Sequence, residues 1–118
     1  MAFRAGTGTF ETMNLPAPQL RTFGSWSGSS QSPLVIAGPC SAESLDQVMQ
    51  TAKALKAGGQ TQLFRAGVWK PRTRPGQFEG IGYDALGWLQ QMRAEVGLPF
   101  DIEVANAAHV EKALAVKA

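Results

Sequence analysis

The chain alternates short apolar runs with segments of helical periodicity, and this alternation constrains its fold more than any other feature. The apolar runs cover residues 34–37, 63–66 and 100–104. After each run, apolar residues recur three or four positions apart, as they do on one face of a helix. The order strand–helix therefore occurs three times. It predicts an α/β fold whose parallel strands are buried on both faces, either doubly wound or the start of a (β/α)8 barrel.

Local signals mark where the helices begin and end. Ser44 followed by Gln47 forms a capping-box pattern at the start of the first helix, and residues 58–59, both glycine, supply its end. Gly97 ends the second helix, and Asn106 is a candidate N-cap for the third. The third helix is expected to carry its apolar face on Val110, Leu114 and Val116.

Composition excludes several classes of protein. The 118 residues are 44% apolar and 17% charged, which is typical of one globular domain or a piece of one. The net charge of +2 gives no argument for binding nucleic acid. No apolar run approaches the roughly 18 residues that cross a bilayer, and no apolar signal core follows the N-terminus. We therefore expect a cytoplasmic protein that binds neither nucleic acid nor membrane.

The first 32 residues differ in composition from the rest of the chain. They are rich in Gly, Ser and Thr, and Pro16 and Pro18 interrupt any periodicity. This composition is typical of an arm or linker. We predict an N-terminal arm over residues 1–32 and a folded body over residues 33–118.

Reactive and charged side chains follow each predicted strand. Cys40 follows the first strand, and Glu103 lies at the end of the third. On or after the second strand lie Arg65, Lys70, Arg72, Thr73 and Arg74. The carboxyl ends of parallel strands meet at one edge of the sheet, and active sites of α/β folds lie there. We therefore expect these side chains to converge on one patch.

The loop after the second strand is cationic and stiff. Four cations lie between Arg65 and Arg74, and Pro71 and Pro75 restrict the backbone among them. Arginine binds phosphate or carboxylate with two parallel hydrogen bonds, and lysine offers a point charge or a proton. The pattern suits a small substrate with several negative charges; a solvated run of charges is the alternative interpretation.

Cys40 is the only cysteine, so no disulfide can form within the chain. Its thiol has three interpretations: a small buried apolar side chain, a nucleophile, or one ligand of a metal ion. His109, the only histidine, is predicted on the surface of the third helix, where it is poorly placed to act as a base for Cys40. The residue pattern alone leaves all three interpretations open.

Two segments together resemble a known enzyme family. AGPCSAES at 37–44 and FRAGVWKPRTRPGQFEG at 64–80 closely resemble 3-deoxy-D-arabino-heptulosonate 7-phosphate (DAHP) synthase of the shorter bacterial class, and IEVAN at 102–106 extends the likeness. The resemblance covers roughly residues 33–118. The KPRT tetrad at 70–73 is specific within the superfamily, because the related 3-deoxy-octulosonate 8-phosphate synthase has a KANRS-like loop there.

The resemblance implies a (β/α)8 barrel that condenses phosphoenolpyruvate with erythrose 4-phosphate, the first step of the shikimate pathway. It implies that Cys40 binds a divalent metal ion, with Mn²⁺, Fe²⁺, Co²⁺ and Zn²⁺ as the plausible ions. Arg65 and Lys70 would hold the phosphate and carboxylate of phosphoenolpyruvate, with Lys70 also near the aldehyde as the catalytic lysine. Arg72 and Thr73 would bind erythrose 4-phosphate.

The resemblance also implies that this chain is only part of such an enzyme. The family's other metal ligands and a further phosphate-binding arginine lie in the second half of the barrel. We expect the N-terminal (β/α)3 portion of the barrel, ending before the fourth strand, with the remainder of the barrel or a second chain as partner and a homo-oligomer when complete. The alternatives are an inactive or complementing fragment that binds anions or a partner chain and, less favoured, the octulosonate synthase.

Overall fold

The computed structural model describes Ala17, Gln19, Arg21, Thr22, Ser25 and residues 33–118. The predicted arm over residues 1–32 lies outside the described residues except at those five positions. Strands and helices alternate through the rest of the chain. In chain order the elements are β1 (Ile36–Ala37), α1 (Leu45–Gly58), β2 (Leu63–Arg65), α2 (Tyr83–Val96), β3 (Phe100–Asp101) and α3 (Ala107–Ala115).

The three strands form one parallel sheet in the order β1-β2-β3, which confirms the predicted parallel arrangement. Ile36 lies opposite Leu63, and Phe64 on the central strand lies opposite Phe100. The strands are shorter than the apolar runs that predicted them. The expectation of burial on both faces is wrong for β1, because Ile36 remains 45% exposed.

The helix boundaries follow the predicted signals. The Ser44 hydroxyl accepts a hydrogen bond from the Gln47 amide at 3.1 Å, and the Gln47 side chain accepts one from the Glu43 amide at 2.9 Å. The first bond satisfies a donor that the first turn of a helix leaves without a partner, and the second ties the residue before the cap to that turn. Gly59 and Gly97 end α1 and α2 with φ of 73° and 75°, a backbone conformation that glycine adopts without steric cost.

The core lies where α1 and α2 pack against each other and against the central strand. Its fully buried side chains include Val48, Phe64, Val68, Leu89 and Met92. Each such side chain contributes about 1.5–3 kcal/mol of stabilisation when it leaves water. No helix within the described residues is long and apolar enough to span a membrane.

Of the apolar residues predicted for helix α3, Val116 at its C-cap packs against the core, but the other two do not. Its N-cap is Asn106, as predicted, since the Asn106 side chain accepts a hydrogen bond from the His109 amide at 2.9 Å. However, Ala113 is its buried residue, whereas Val110 is 41% and Leu114 68% exposed. Both exposed side chains line an open groove of about 490 Å³ between α3 and the outer edge of β3. A helix of nine residues is too short for periodicity to identify its packed face.

Candidate active site

The loops that follow β1 and β2 are bonded to each other. The Gly67 amide donates to the Cys40 carbonyl at 3.2 Å, and the Ala42 amide donates to the Gly67 carbonyl at 2.9 Å. Gly38 approaches the Arg65 backbone so closely that a side chain on Gly38 would overlap the Arg65 carbonyl. The two loops therefore hold one fixed arrangement at the carboxyl ends of the strands, where active sites of parallel α/β folds lie.

Lys70 is buried beside the only thiol of the chain. Its side chain is 9% exposed, and its Nζ donates to the Sγ of Cys40 at 3.5 Å. A side chain on Gly67 would overlap the Lys70 ammonium, so the glycine leaves the space that this ammonium occupies. The Lys70 amide also donates to the Glu79 carbonyl at 2.7 Å, which fixes the backbone that carries the side chain.

The Cys40 thiol is exposed, which rules out the buried apolar interpretation. The hydrogen bond from Lys70 lowers the pKa of Cys40, and the positive charges of Lys70 and Arg65 act in the same direction. Slight desolvation opposes them. The site therefore favours an accessible thiolate, which is the form that binds metals and attacks electrophiles.

Glu103 joins the two cations of the site. Its carboxylate forms an ion pair with Arg65, and its Oε2 lies 3.9 Å from the Lys70 Nζ. The Glu103 side chain is 45% exposed and follows the end of β3 by two residues. The predicted convergence on one patch is therefore confirmed for Cys40, Arg65, Lys70 and Glu103. Among the described residues, no hydrogen bond or ion pair joins Arg72, Thr73 or Arg74 to these four.

Asp101 is a charged residue of the site region that the sequence analysis missed. It ends β3 opposite Arg65, and its Oδ1 is buried with no hydrogen-bond partner among the described residues. Burial raises the pKa of Asp101, although the Arg65 charge opposes the rise. A carboxylate inside an apolar strand pattern was the available signal, since buried charges without partners are rare.

Arg72 and Thr73 lie further along the same loop and are exposed. The Arg72 Nε donates to the Phe78 carbonyl at 3.0 Å, which sets the direction of the guanidinium. Among the described residues, no hydrogen bond or ion pair connects either side chain to the cluster around Lys70. The four residues predicted to bind substrate therefore fall into an inner pair, Arg65 and Lys70, and an outer pair, Arg72 and Thr73.

The described residues contain no group of three or more His, Cys, Asp or Glu side chains that could hold a metal ion. The exposed thiol of Cys40 fits a single metal ligand because its lowered pKa favours the thiolate. A tight site needs further ligands beyond this cluster. The assignment of Cys40 as a metal ligand stays a prediction.

A parallel α/β sheet with cations gathered at its strand ends belongs to the class of folds whose active sites lie at that edge of the sheet. The sequence model of the DAHP synthetase I family matches residues 13–117, which is most of the chain. The chain therefore belongs to this family of enzymes, and the predicted resemblance is confirmed.

Two relatives and one solved structure illustrate the likeness and its extent. The chain is 39% identical to the phospho-2-dehydro-3-deoxyheptonate aldolase of Thermotoga maritima over 64 residues, or 54% of this chain and 19% of that protein. It is 38% identical to the 2-dehydro-3-deoxyphosphooctonate aldolase of Magnetococcus marinus over 79 residues, or 62% of this chain and 28% of that protein. The crystal structure of the Thermotoga maritima phospho-2-dehydro-3-deoxyheptonate aldolase (DAHP synthase) has a TM-score of 0.63 at 32% identity, covering 70% of this chain and 24% of that one. The chain thus spans less than a third of each of these relatives.

Proposed function

We propose that residues 33–118 form the N-terminal (β/α)3 portion of a (β/α)8 barrel that makes DAHP from phosphoenolpyruvate and erythrose 4-phosphate, and that residues 1–32 are an arm preceding it. Family membership and the parallel sheet support this proposal. The observation that carries it is the buried Lys70 ammonium at the strand ends, next to Cys40 and within the KPRT tetrad.

Arg65 and Lys70 would hold the phosphate and carboxylate of phosphoenolpyruvate. Two cations at one end of the sheet suit a ligand with several negative charges, and charge-assisted hydrogen bonds are the stronger ones. Both cations lie against Glu103 in the structure, so the ligand would replace part of the Glu103 contacts. The burial of Lys70 strengthens its attraction for an anion, because little water screens it.

Arg72 and Thr73 would bind the phosphate of erythrose 4-phosphate. The bond from the Arg72 Nε to the Phe78 carbonyl directs the guanidinium, whose terminal nitrogens can donate to phosphate oxygens. The Thr73 hydroxyl can donate one further hydrogen bond. Both side chains are exposed, as a site open to an incoming sugar phosphate requires.

The reaction would begin with a bond between C3 of phosphoenolpyruvate and the aldehyde carbon of erythrose 4-phosphate. The aldehyde oxygen takes up a proton, and Lys70, placed near the aldehyde, is the side chain that can donate it. Positive charge develops at C2, where water adds and loses a proton. Inorganic phosphate then leaves, and C2 becomes the ketone carbon of the product. The inner cations stabilise the negative charges that the two substrates bring together.

Cys40 would supply one ligand of a divalent metal ion, with Mn²⁺, Fe²⁺, Co²⁺ and Zn²⁺ as candidates. When bound, such an ion would polarise the aldehyde as a Lewis acid. The accessible thiol with a lowered pKa supports this role for Cys40. The described residues contain no complete ligand set, so the partner that completes the site would be the remainder of the barrel or a second chain, in a homo-oligomer.

Two other functions remain as candidates. The Magnetococcus marinus relative favours the octulosonate reaction, in which a five-carbon aldose phosphate would replace the four-carbon one. An inactive or complementing fragment that binds anions or a partner chain would retain the inner cations without turnover.

The experiment supplies the purified protein with Mn²⁺ and phosphoenolpyruvate, together with either erythrose 4-phosphate or a five-carbon aldose phosphate. Consumption of phosphoenolpyruvate and release of phosphate are followed in parallel. Turnover with the four-carbon aldehyde is the expected result. Turnover only with the five-carbon aldehyde would establish the octulosonate reaction. Binding of phosphoenolpyruvate without turnover would establish the anion-binding fragment.

A further inference from the structure

The only histidine of the chain lies flat against a tryptophan next to the buried lysine. The ring centroids of Trp69 and His109 are 3.9 Å apart and their planes differ by 4°, so the two rings are stacked. Tyr83 contacts the same indole edge to face, with centroids 5.6 Å apart. Trp69 is 7% exposed, and it precedes Lys70 directly in the chain.

The backbone around Trp69 is tied to the loop that follows it. The Lys70 amide donates to the Glu79 carbonyl at 2.7 Å, and the Gly82 amide donates to the Val68 carbonyl at 3.0 Å. Any displacement of the Trp69 ring therefore acts on a short backbone segment whose next side chain is Lys70. The Lys70 Nζ in turn contacts the Sγ of Cys40 at 3.5 Å.

The His109 ring is itself held in place at the start of α3. Its Nδ1 accepts a hydrogen bond from the Ala105 amide at 3.2 Å, and its own amide is capped by Asn106 at 2.9 Å. The ring orientation is therefore fixed by the turn that follows β3. A contact between this turn and Trp69 transmits the position of the third strand–helix unit to the loop of the second.

We propose that His109 is a positioning residue. Its ring stack on Trp69 fixes the backbone next to Lys70 and so holds the Lys70 ammonium in the proposed anion-binding site. The predicted effect of His109 on ligand binding rests on the proposed function, which assigns Lys70 to phosphoenolpyruvate. The predicted effect of His109 on the loop after β2 is independent of that function. An aromatic pair adds stabilisation beyond the area that it buries, because the two rings interact in a specific geometry. A small displacement of a binding group lowers the affinity or the rate that depends on it.

The test compares His109→Ala with His109→Phe, which keeps a flat ring over Trp69 and removes the nitrogens. Glu111→Ala, at an exposed position on the same helix, is the matched control. Two quantities are measured on each variant of the full-length protein. Amide hydrogen exchange at Lys70 and at Leu89 separates local loosening of the loop from global unfolding. Calorimetric titration with phosphoenolpyruvate measures the affinity.

We expect His109→Ala to accelerate exchange at Lys70 but not at Leu89, and to weaken phosphoenolpyruvate binding by about two- to tenfold, the range that an aromatic pair commonly supplies. His109→Phe keeps the ring stack but loses the bond from the Ala105 amide, so it should restore most of both values, and Glu111→Ala should change neither. Unchanged exchange at Lys70 in His109→Ala would overturn the proposal, as would equal acceleration at Leu89. If the unmodified protein does not bind phosphoenolpyruvate, the proposed function fails, and exchange at Lys70 still decides the positioning role.

Discussion

The ammonium of Lys70 and the thiol of Cys40 are thirty positions apart in the chain and 3.5 Å apart in the fold. The contact joins the loop after β1 to the loop after β2 through side chains, in addition to the backbone bonds that Gly67 forms with Cys40 and Ala42. It links a potential ligand or nucleophile to a buried positive charge. The hydrogen bond and the charge of Lys70 lower the pKa of Cys40 and so favour its thiolate.

Replacing Lys70 by methionine should make Cys40 less reactive. The lysine lowers the pKa of the thiol, first by its hydrogen bond and then by its charge, so its removal leaves less thiolate at neutral pH. Alkylation by iodoacetamide in the presence of a chelator should be slower in Lys70→Met, and its pH midpoint should move upward. Lys56→Met, which removes an exposed cation in the last turn of α1, is the control. Equal rates in all three proteins would contradict the assignment.

Replacing Gly67 by alanine should destabilise the fold. The new methyl group would overlap the Lys70 ammonium and the Cys40 carbonyl, and overpacking of this kind commonly costs about 1–3 kcal/mol. Gly87→Ala is a matched control, because no atom lies within 4 Å of the added methyl group and the position is inside α2. There alanine should raise the free energy of unfolding by about 0.5–1 kcal/mol. Urea denaturation measures both; a neutral Gly67→Ala would show that the loops can separate.

Asp101 should make the stability of the protein depend on pH. Burial raises its pKa in the folded state above the ordinary value of 3.8, so the folded protein binds this proton more tightly than the unfolded chain. The protonated Asp101 side chain makes its full contribution to the free energy of unfolding below pH 3.8. That contribution is lost as the pH rises through the folded-state pKa. Asp101→Asn should flatten that part of the profile and raise the free energy of unfolding at neutral pH.

The control for Asp101 is Asp84→Asn, which removes an exposed carboxylate from the first turn of α2. A carboxylate there interacts favourably with the helix dipole, so its loss should lower stability slightly at neutral pH. Urea denaturation across a pH series gives both profiles. The expectation is refuted if the free energy of unfolding of the wild-type protein does not fall above pH 3.8, or if Asp101→Asn shows the same fall.

Two features could be predicted from local signals: the order of strands and helices along the chain, and the cluster of charged side chains at the carboxyl ends of the strands. Apolar runs, glycine stops and the Ser44 cap are all short-range, and parallel strands bring their carboxyl ends together. Contacts between distant elements had no such signal. The stack of Trp69 on His109 joins residues forty positions apart, and the sequence placed His109 only on a helix surface. The exposure of Ile36 was also missed, because an apolar run does not show how many of its faces are covered.

Replacing Arg72 by alanine should weaken binding of erythrose 4-phosphate selectively. Loss of a charge-assisted hydrogen bond typically costs about 1.5–3 kcal/mol, or roughly ten- to hundredfold in affinity. We expect the KM for erythrose 4-phosphate to rise by that factor and the KM for phosphoenolpyruvate to change little. Arg74→Ala, two positions along the same loop, is the comparison. A defect confined to phosphoenolpyruvate would mean that the inner and outer pairs have exchanged roles.

Replacing Cys40 by serine should lower metal content and turnover together in the full-length enzyme. A serine hydroxyl is a poorer ligand than a thiolate for the softer divalent ions. Metal content is measured by elemental analysis after dialysis against Mn²⁺ or Zn²⁺, and turnover by phosphate release. Ser41→Ala, at the neighbouring buried position, controls for local repacking. Normal metal content in Cys40→Ser would remove Cys40 from the ligand set.

The reciprocal bonds between the Cys40 and Gly67 loops have a consequence for recombination among relatives. A chimera with its breakpoint between Ala42 and Gly67 would take the two loops from different parents. One parent would then have to supply a glycine at position 67 small enough for the Cys40 carbonyl of the other, and amides and carbonyls positioned to bond across the two loops. Breakpoints before Gly38 or after Lys70 keep the pair intact. Libraries of such chimeras should therefore yield functional members mainly when both loops come from one parent.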